Sequence, residues 1–163
     1  MKLFMSKQKE EERNQKALED YTTPIIEMGL NPSKIIQTYP DLFIFKGFLM
    51  VDTENKKWAF VDKQRYEKKI FKIYDFKDLK KYDVQIDDGR TSTTHYGFGI
   101  GEINKEIKRI EMILYTNSTD IDEFAISIMK NIIPVYKNAP GYPKVMAKID
   151  EVKIVLEYIL NNQ

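Results

Sequence analysis

The chain has 163 residues, 42% hydrophobic and 31% charged, a mixture that suits one globular domain rather than a disordered segment. Its formal net charge of +1 exerts no global pull toward nucleic acid or an anionic membrane, so such a contact would need a local patch. With no cysteine, a disulfide framework, a thiolate nucleophile and a cysteine-based zinc site are excluded.

Met1-Lys2-Leu3-Phe4-Met5 is not followed by an apolar run, so it does not read as a signal peptide, and no stretch approaches the ~20 apolar residues of a membrane span. The expectation is a cytoplasmic protein with no membrane contact. Lys far outnumbers Arg and Ile and Asn are frequent, which points to an AT-rich genome; the short length is in keeping with a phage or mobile-element origin.

Residues 6 to 20 are mostly strong helix formers of mixed charge with few apolar positions, and predict an exposed helical arm. Thr23-Pro24 and Asn31-Pro32 each place a capping side chain before a proline, which predicts two short helices, Pro24 to Met28 and Pro32 to Thr38. A soft boundary falls near Tyr39-Pro40, leaving residues 1–41 as a helical arm and 42–163 as the main domain.

From Leu42 the pattern turns to strands. Leu42 to Val51 and Lys57 to Val61 are predicted to pair across a turn at Asp52-Thr53-Glu54-Asn55, with Trp58 and Phe60 on one face. Further strands are predicted at Ile70 to Tyr74, Tyr82 to Ile86, Thr91 to Tyr96 and Arg109 to Tyr115, with Asp87-Asp88-Gly89-Arg90 as a turn. Within Asp120 to Ile133, the alternation of Phe124, Ile126 and Ile128 favours a strand, although Ile121, Phe124, Ile128 and Ile132 also fit a helical face. After Pro140-Gly141-Tyr142-Pro143, the residues Val145, Met146, Ile149, Val152, Val155, Leu156 and Ile159 recur at three- and four-residue steps and predict an amphipathic helix.

About seven strands followed by one long helix make an α+β pattern that resembles the pleckstrin-homology-like barrel, and more narrowly bacterial PH-like and GRAM-like domains. The likeness covers about residues 42 to 160. It is carried by Phe48-Leu49-Met50-Val51-Asp52 leading through a turn into Lys57-Trp58-Ala59-Phe60-Val61, by Ile73 to Leu79, by Asp83 to Gly89, and by the glycine stretch Gly97-Phe98-Gly99-Ile100-Gly101. The resemblance implies an antiparallel barrel closed by the C-terminal helix, and a ligand that is a phosphoinositide, a peptide or another protein. The first hairpin offers Lys46, Lys56 and Lys57 but interposes Asp52 and Glu54, which departs from the lysine and arginine clusters of lipid-binding members.

No reactive constellation stands out. Gly97-x-Gly99-x-Gly101 lacks dinucleotide-loop spacing and reads as a bend in a strand. His95, the one histidine, has no Asp or Glu nearby at ligand spacing and reads as a structural or surface residue. Asp120, Asp122 and Glu123 lack Ca²⁺-loop spacing and read as a solvated turn or a helix start. No catalytic residue, metal or cofactor is expected. The most informative stretch is Lys63 to Tyr82, with Lys63, Arg65, Lys68, Lys69, Lys72, Lys77, Lys80 and Lys81 against Glu67, Asp75 and Asp78. Tyr66, Phe71, Tyr74, Phe76 and Tyr82 are interleaved. Such a stripe can bind single-stranded nucleic acid, or its lysines can simply guard a sheet edge.

The expectation is a non-enzymatic interaction module that binds a protein or peptide partner, with possible self-association into a homo-oligomer. Its expected surface is the open edge of the barrel and the groove between strand and helix. The partner-binding residues expected are Lys63, Arg65, Lys68, Lys69, Lys72, Tyr74, Lys80 and Lys81. The alternative is a nucleic-acid-binding protein using residues 63–82.

Overall fold

A computed structural model describes residues 6–39, 47–96, 99–117, 125–130, 135–136 and 141–163, with backbone alone for 87–96, 99–109, 129–130 and 135–136. Among them are eight strands in two antiparallel sheets, three α-helices and one short 3₁₀ turn.

Helix α1, Lys7–Glu27, begins at Ser6, whose hydroxyl accepts the Lys9 N–H. It runs through Pro24, so the separate helix expected from Pro24 to Met28 is the last turn of α1. Proline removes one backbone donor, but Thr22 and Ile25 are buried against the sheet, and that docking holds the helix together past the break. Gly29, at φ +111°, ends it, with N–H bonds back to Ile26 and from Leu30 to Ile25.

The second expected helix, Pro32 to Thr38, is instead strand β1, Lys34–Gln37. Its backbone pairs antiparallel with β2, Gly47–Asp52, from Lys34↔Val51 to Gln37↔Phe48. Ile35 and Ile36 then face opposite sides, each in a different apolar cluster. β1 lies before the boundary drawn near residue 41 yet is bonded along β2. Residues 42–46 of the first expected strand lie outside the described residues.

β2 pairs with β3, Lys57–Asp62, and β3 with the two-residue β4, Tyr74–Asp75, completing the first sheet in the order β1-β2-β3-β4. The strand expected over Ile70 to Tyr74 shrinks to β4, because residues 63–67 form helix α2, Lys63–Glu67, and Phe71 and Ile73 pack on the back of the sheet. All six residues of β2 are buried. Leu49 and Val51 face the main core with Trp58 and Phe60, while Met50 and Ala59 face Ile25 and Leu30. A strand covered on both faces reads as a continuous apolar run, as Phe48-Leu49-Met50-Val51 does.

After the 3₁₀ turn Phe76–Asp78 comes the second sheet, in the order β5-β6-β7, with β5 at Leu79–Tyr96, β6 at Gly99–Thr116 and β7 at Ala125–Lys130. The two-residue β8, Val135–Tyr136, pairs with β6 in line with β7, on the side away from β5. The turn expected at Asp87 to Arg90 does not form. β5 continues, and the extra residues are absorbed as register shifts between Asp87, Asp88 and Thr91 opposite β6. The chain reverses between Tyr96 and Gly99, which pair with each other. Thus Tyr82 to Ile86 and Thr91 to Tyr96 are one strand, and Arg109 to Tyr115 is the end of β6. The strand favoured around Ile126 and Ile128 is β7.

Helix α3, Gly141–Asn161, buries Val145, Ile149, Val152, Val155, Leu156 and Ile159 as its spacing requires. Pro143 sits in the first turn, where a missing N–H costs little. Both sheets and α3 share one core. The architecture is therefore α+β with two antiparallel sheets. The closed barrel expected is not found: among the described residues no strand pair joins the first sheet to the second. The sheets meet through side chains in the core, and the short β4 ends the first sheet before it can pair onward.

Gly47 illustrates how tightly the first sheet is closed. A Cβ there would lie 2.6 Å from the Thr38 hydroxyl and 3.0 Å from the Tyr39 ring. Gly47→Ala is expected to cost about 1–3 kcal/mol, read as a lower urea midpoint at unchanged slope.

Candidate functional site

The structure divides the basic-aromatic stretch between two places. The first is the α2 corner. Asp62 caps α2, its carboxylate accepting the Arg65 N–H at 2.7 Å. The motif Asp62-Lys63-Gln64-Arg65, a cap followed by helix formers, carried the signal for this helix, which sequence reasoning missed. Lys63 lies 3.8 Å from Glu67, Arg65 is half-buried, and Lys68 and Lys69 are exposed. Tyr66 is 36% exposed but lies on Tyr21 of α1 at 4.8 Å between ring centroids, and Tyr21 meets Phe48 edge-on at 6.0 Å. Burial, reinforced by Glu67, pushes the Tyr21 hydroxyl pKa up. These rings serve to hold α1 and α2 to the first sheet.

α2 ends as α1 does: Lys69 N–H bonds to Tyr66 and Ile70 N–H to Arg65. The left-handed position is glycine in α1 and Lys69, at φ +54°, in α2. Lys69→Gly relieves about 1–2 kcal/mol of left-handed strain against about 0.4–1 kcal/mol of added chain entropy. A net gain of about 0.5–1 kcal/mol is expected in equilibrium unfolding.

Tyr74, expected at the binding surface, is 1% exposed and stacked on Trp58 at 4.4 Å and 15°. It is a core residue and presents no face to a partner. The reason is its place in β4, where it pairs with Trp58 and its side chain turns inward. Phe76 is also 1% exposed, and Lys72 is half-buried with its ammonium 5.1 Å from the Tyr74 ring centre. Phe71 packs on the back of the first sheet. The aromatics of the stretch therefore form no continuous stacking platform.

The second place is the start of β5, on the other sheet, where Lys80 and Lys81 are exposed. Lys81 lies 3.8 Å from Asp83 and 4.7 Å from the Tyr115 ring centre. Tyr82 points inward, and its hydroxyl donates to Glu157 of α3 at 2.6 Å. Burial first, then this carboxylate, pushes the Tyr82 pKa up to about 12, so the hydroxyl stays a donor across the ordinary range. The Gln163 amide donates to the Phe76 and Leu79 carbonyls at 2.7 and 2.6 Å. With Tyr82–Glu157, these bonds lay the C-terminal turns of α3 along the first residues of β5. Further on, Ile86 emerges from that cover and is 43% exposed.

β5 is an edge strand: it pairs with β6 on one side, and among the described residues no strand pairs with its other side. An unpaired row of backbone donors and acceptors is a ready-made template for adding a strand from another chain. β6, by contrast, is paired on both sides.

His95 is described only by its backbone, which pairs with Ile100. Asp120, Asp122 and Glu123, and Gly97 and Phe98 of the glycine stretch, lie outside the described residues. Among the described residues no group of three or more His, Asp or Glu is placed to hold a metal ion, and no helix is long and apolar enough to cross a membrane. No protein-family model, curated protein or solved structure matches the chain.

Proposed function

We propose that the chain is a non-enzymatic interaction module that takes an extended segment of a partner protein as an added strand on the outer edge of β5. The observation that carries this reading is the position of β5, an 18-residue strand at the margin of its sheet with its outer side unpaired by any described strand. Lys80 and Lys81 belong to that edge, and Ile86 supplies an exposed apolar contact beside it. The order of elements, four strands in one sheet, then a second sheet, then a C-terminal helix in the same core, is that of a pleckstrin-homology-like domain, whereas no strand pair among the described residues closes the barrel of one.

Panning the full chain against random octapeptides and following amide exchange with a retained peptide tests the reading. Residues 81–86 of β5 are expected to gain protection, and Ile86→Asp, an exposed change, to weaken binding about tenfold. Protection elsewhere, with β5 unchanged, would sink it. The nucleic-acid reading is supported by the gathering of Lys63, Arg65, Lys68 and Lys69 on one corner. A single-stranded oligonucleotide bound by the chain, released steeply by salt and lost in the Lys68→Ala, Lys69→Ala double variant, would favour it over strand addition.

A further inference from the structure

The longest regular run of β5 extends from Lys81 to Asp87. Over it the strand pairs with β6 residue for residue, from Lys81↔Tyr115 to Asp87↔Arg109, seven register pairs in succession. Register shifts bound the run at both ends, between Leu79 and Lys81 and between Asp87 and Asp88. A bulge bends and twists a strand, so regular pairing on the outer edge is confined to the run between the shifts. At the near end the Gln163 amide also holds the Leu79 carbonyl, at 2.6 Å. The middle residue of the run is Val84.

Val84 is also the centre of a symmetry in the sequence. Outward from it, Asp83 corresponds to Gln85, Tyr82 to Ile86, Lys81 to Asp87 and Lys80 to Asp88. Apolar answers apolar, and basic answers acidic. An isologous contact sets each residue of a pair against the other twice, so two copies of β5 laid antiparallel about an axis through Val84 bring these correspondents opposite one another. Lys81 of each copy then stands opposite Asp87 of the other, Tyr82 opposite Ile86, and no two like charges meet. Other registers lose this match. An axis at Asp83 opposes the two copies of that residue, and an axis at Gln85 sets Asp83 opposite Asp87; like charges directly opposite are destabilising. An axis between residues 83 and 84, or 84 and 85, sets Ile86 opposite Lys81 or Asp83.

The side chains agree with that axis. Tyr82, Val84 and Ile86 share one face by alternation. Tyr82 and Val84 pack against the main core, whereas Ile86 is 43% exposed and lacks the cover that Tyr82 of a second copy supplies. Lys81 lies on the opposite face with its side chain 58% exposed, and its 3.8 Å contact with Asp83 runs along the strand, which leaves it open to a group across the edge. We propose that the segment added to β5 is β5 of a second copy of this chain, paired over Lys81–Asp87 about Val84, so that the two second sheets continue as one. The proposal rests on the strand-addition reading and names its partner.

Light scattering over a dilution series of the full chain tests it, and the mass is expected to rise with concentration toward twice that of one chain. Lys81→Glu and Asp87→Lys each turn two cross-strand attractions into repulsions and are expected to weaken the dimer about tenfold. An equimolar mixture of the two variants is expected to recover the parent's dimerisation, because every repulsive pair becomes an attractive one in the mixed dimer. A dimer that neither variant weakens, or variants that remain monomeric when mixed, would overturn the proposal. A parent that stays monomeric at every concentration, while an octapeptide retained by panning protects its β5 amides, would overturn self-pairing and leave strand addition standing. A monomer whose β5 amides no peptide protects would overturn both.

Discussion

Trp58→Ala is expected to remove about 3–5 kcal/mol of stability, a large part of the 5–15 kcal/mol that a domain commonly has. Trp58 is fully buried at the centre of the main core, stacked on Tyr74, with its indole N–H donating to the Asp75 carbonyl at 3.1 Å. It also pairs with Tyr74 across the two-residue β4, so the substitution both opens a cavity and loosens the strand that ends the first sheet. Trp58→Phe keeps most of the volume and loses the hydrogen bond, and should cost about 1–2 kcal/mol. Urea unfolding followed by far-ultraviolet circular dichroism measures both, because the chain's one tryptophan is the residue removed. A loss below about 1 kcal/mol for Trp58→Ala would mean that this ring is not at the centre of the core.

The second large effect belongs to Asp52, a carboxylate 1% exposed at the β2–β3 turn. Burial by itself would raise its pKa. The opposing bonds, from the Asn55 amide at 2.9 Å, the Asn55 N–H at 3.0 Å and the Asn31 N–H at 3.2 Å, win and hold it below the ordinary carboxylate range. Asp52→Ala leaves these donors without their acceptor and is expected to cost about 2–4 kcal/mol. Asp52→Asn, with one acceptor oxygen left, should cost less.

The pH dependence follows from the same bonds. The folded-state pKa lies below the unfolded value, so the stabilisation is complete above about pH 4 and is lost as pH falls through the folded-state pKa. Asp75 acts in the same sense through Lys57, but both groups are more than 40% exposed and solvent screens their contribution. The urea midpoint of the parent should therefore drop on going from neutral pH into the acid range, and drop less in Asp52→Ala. Identical acid sensitivity in the two would show that Asp52 does not carry it.

Much of the architecture follows from local pattern. The three- and four-residue steps from Val145 to Ile159 determined α3, and Trp58 and Phe60, two apart, determined the inward face of β3. The alternation at Ile126 and Ile128 determined β7. In each, period and burial agree, because one face meets the core and the other does not. Where pairing competes with local propensity, tertiary structure decided. Pro32 to Thr38 carries a helix-start signal, yet four register pairs with β2 draw residues 34–37 into a strand and place Ile35 and Ile36 on opposite faces. Asp87-Asp88-Gly89-Arg90 carries a turn signal, yet β6 continues opposite it and the extra residues become bulges.

The candidate site divides the same way. The sequence marks Lys80 and Lys81 as charged and β5 as a strand, but only the tertiary structure makes β5 an edge and seats Gln163 at its first carbonyl. Tyr74 and Lys69 are neighbours in one basic-aromatic stretch. The fold buries the first on Trp58 and leaves the second at the surface, because strand pairing and helix capping, not composition, set where each side chain points.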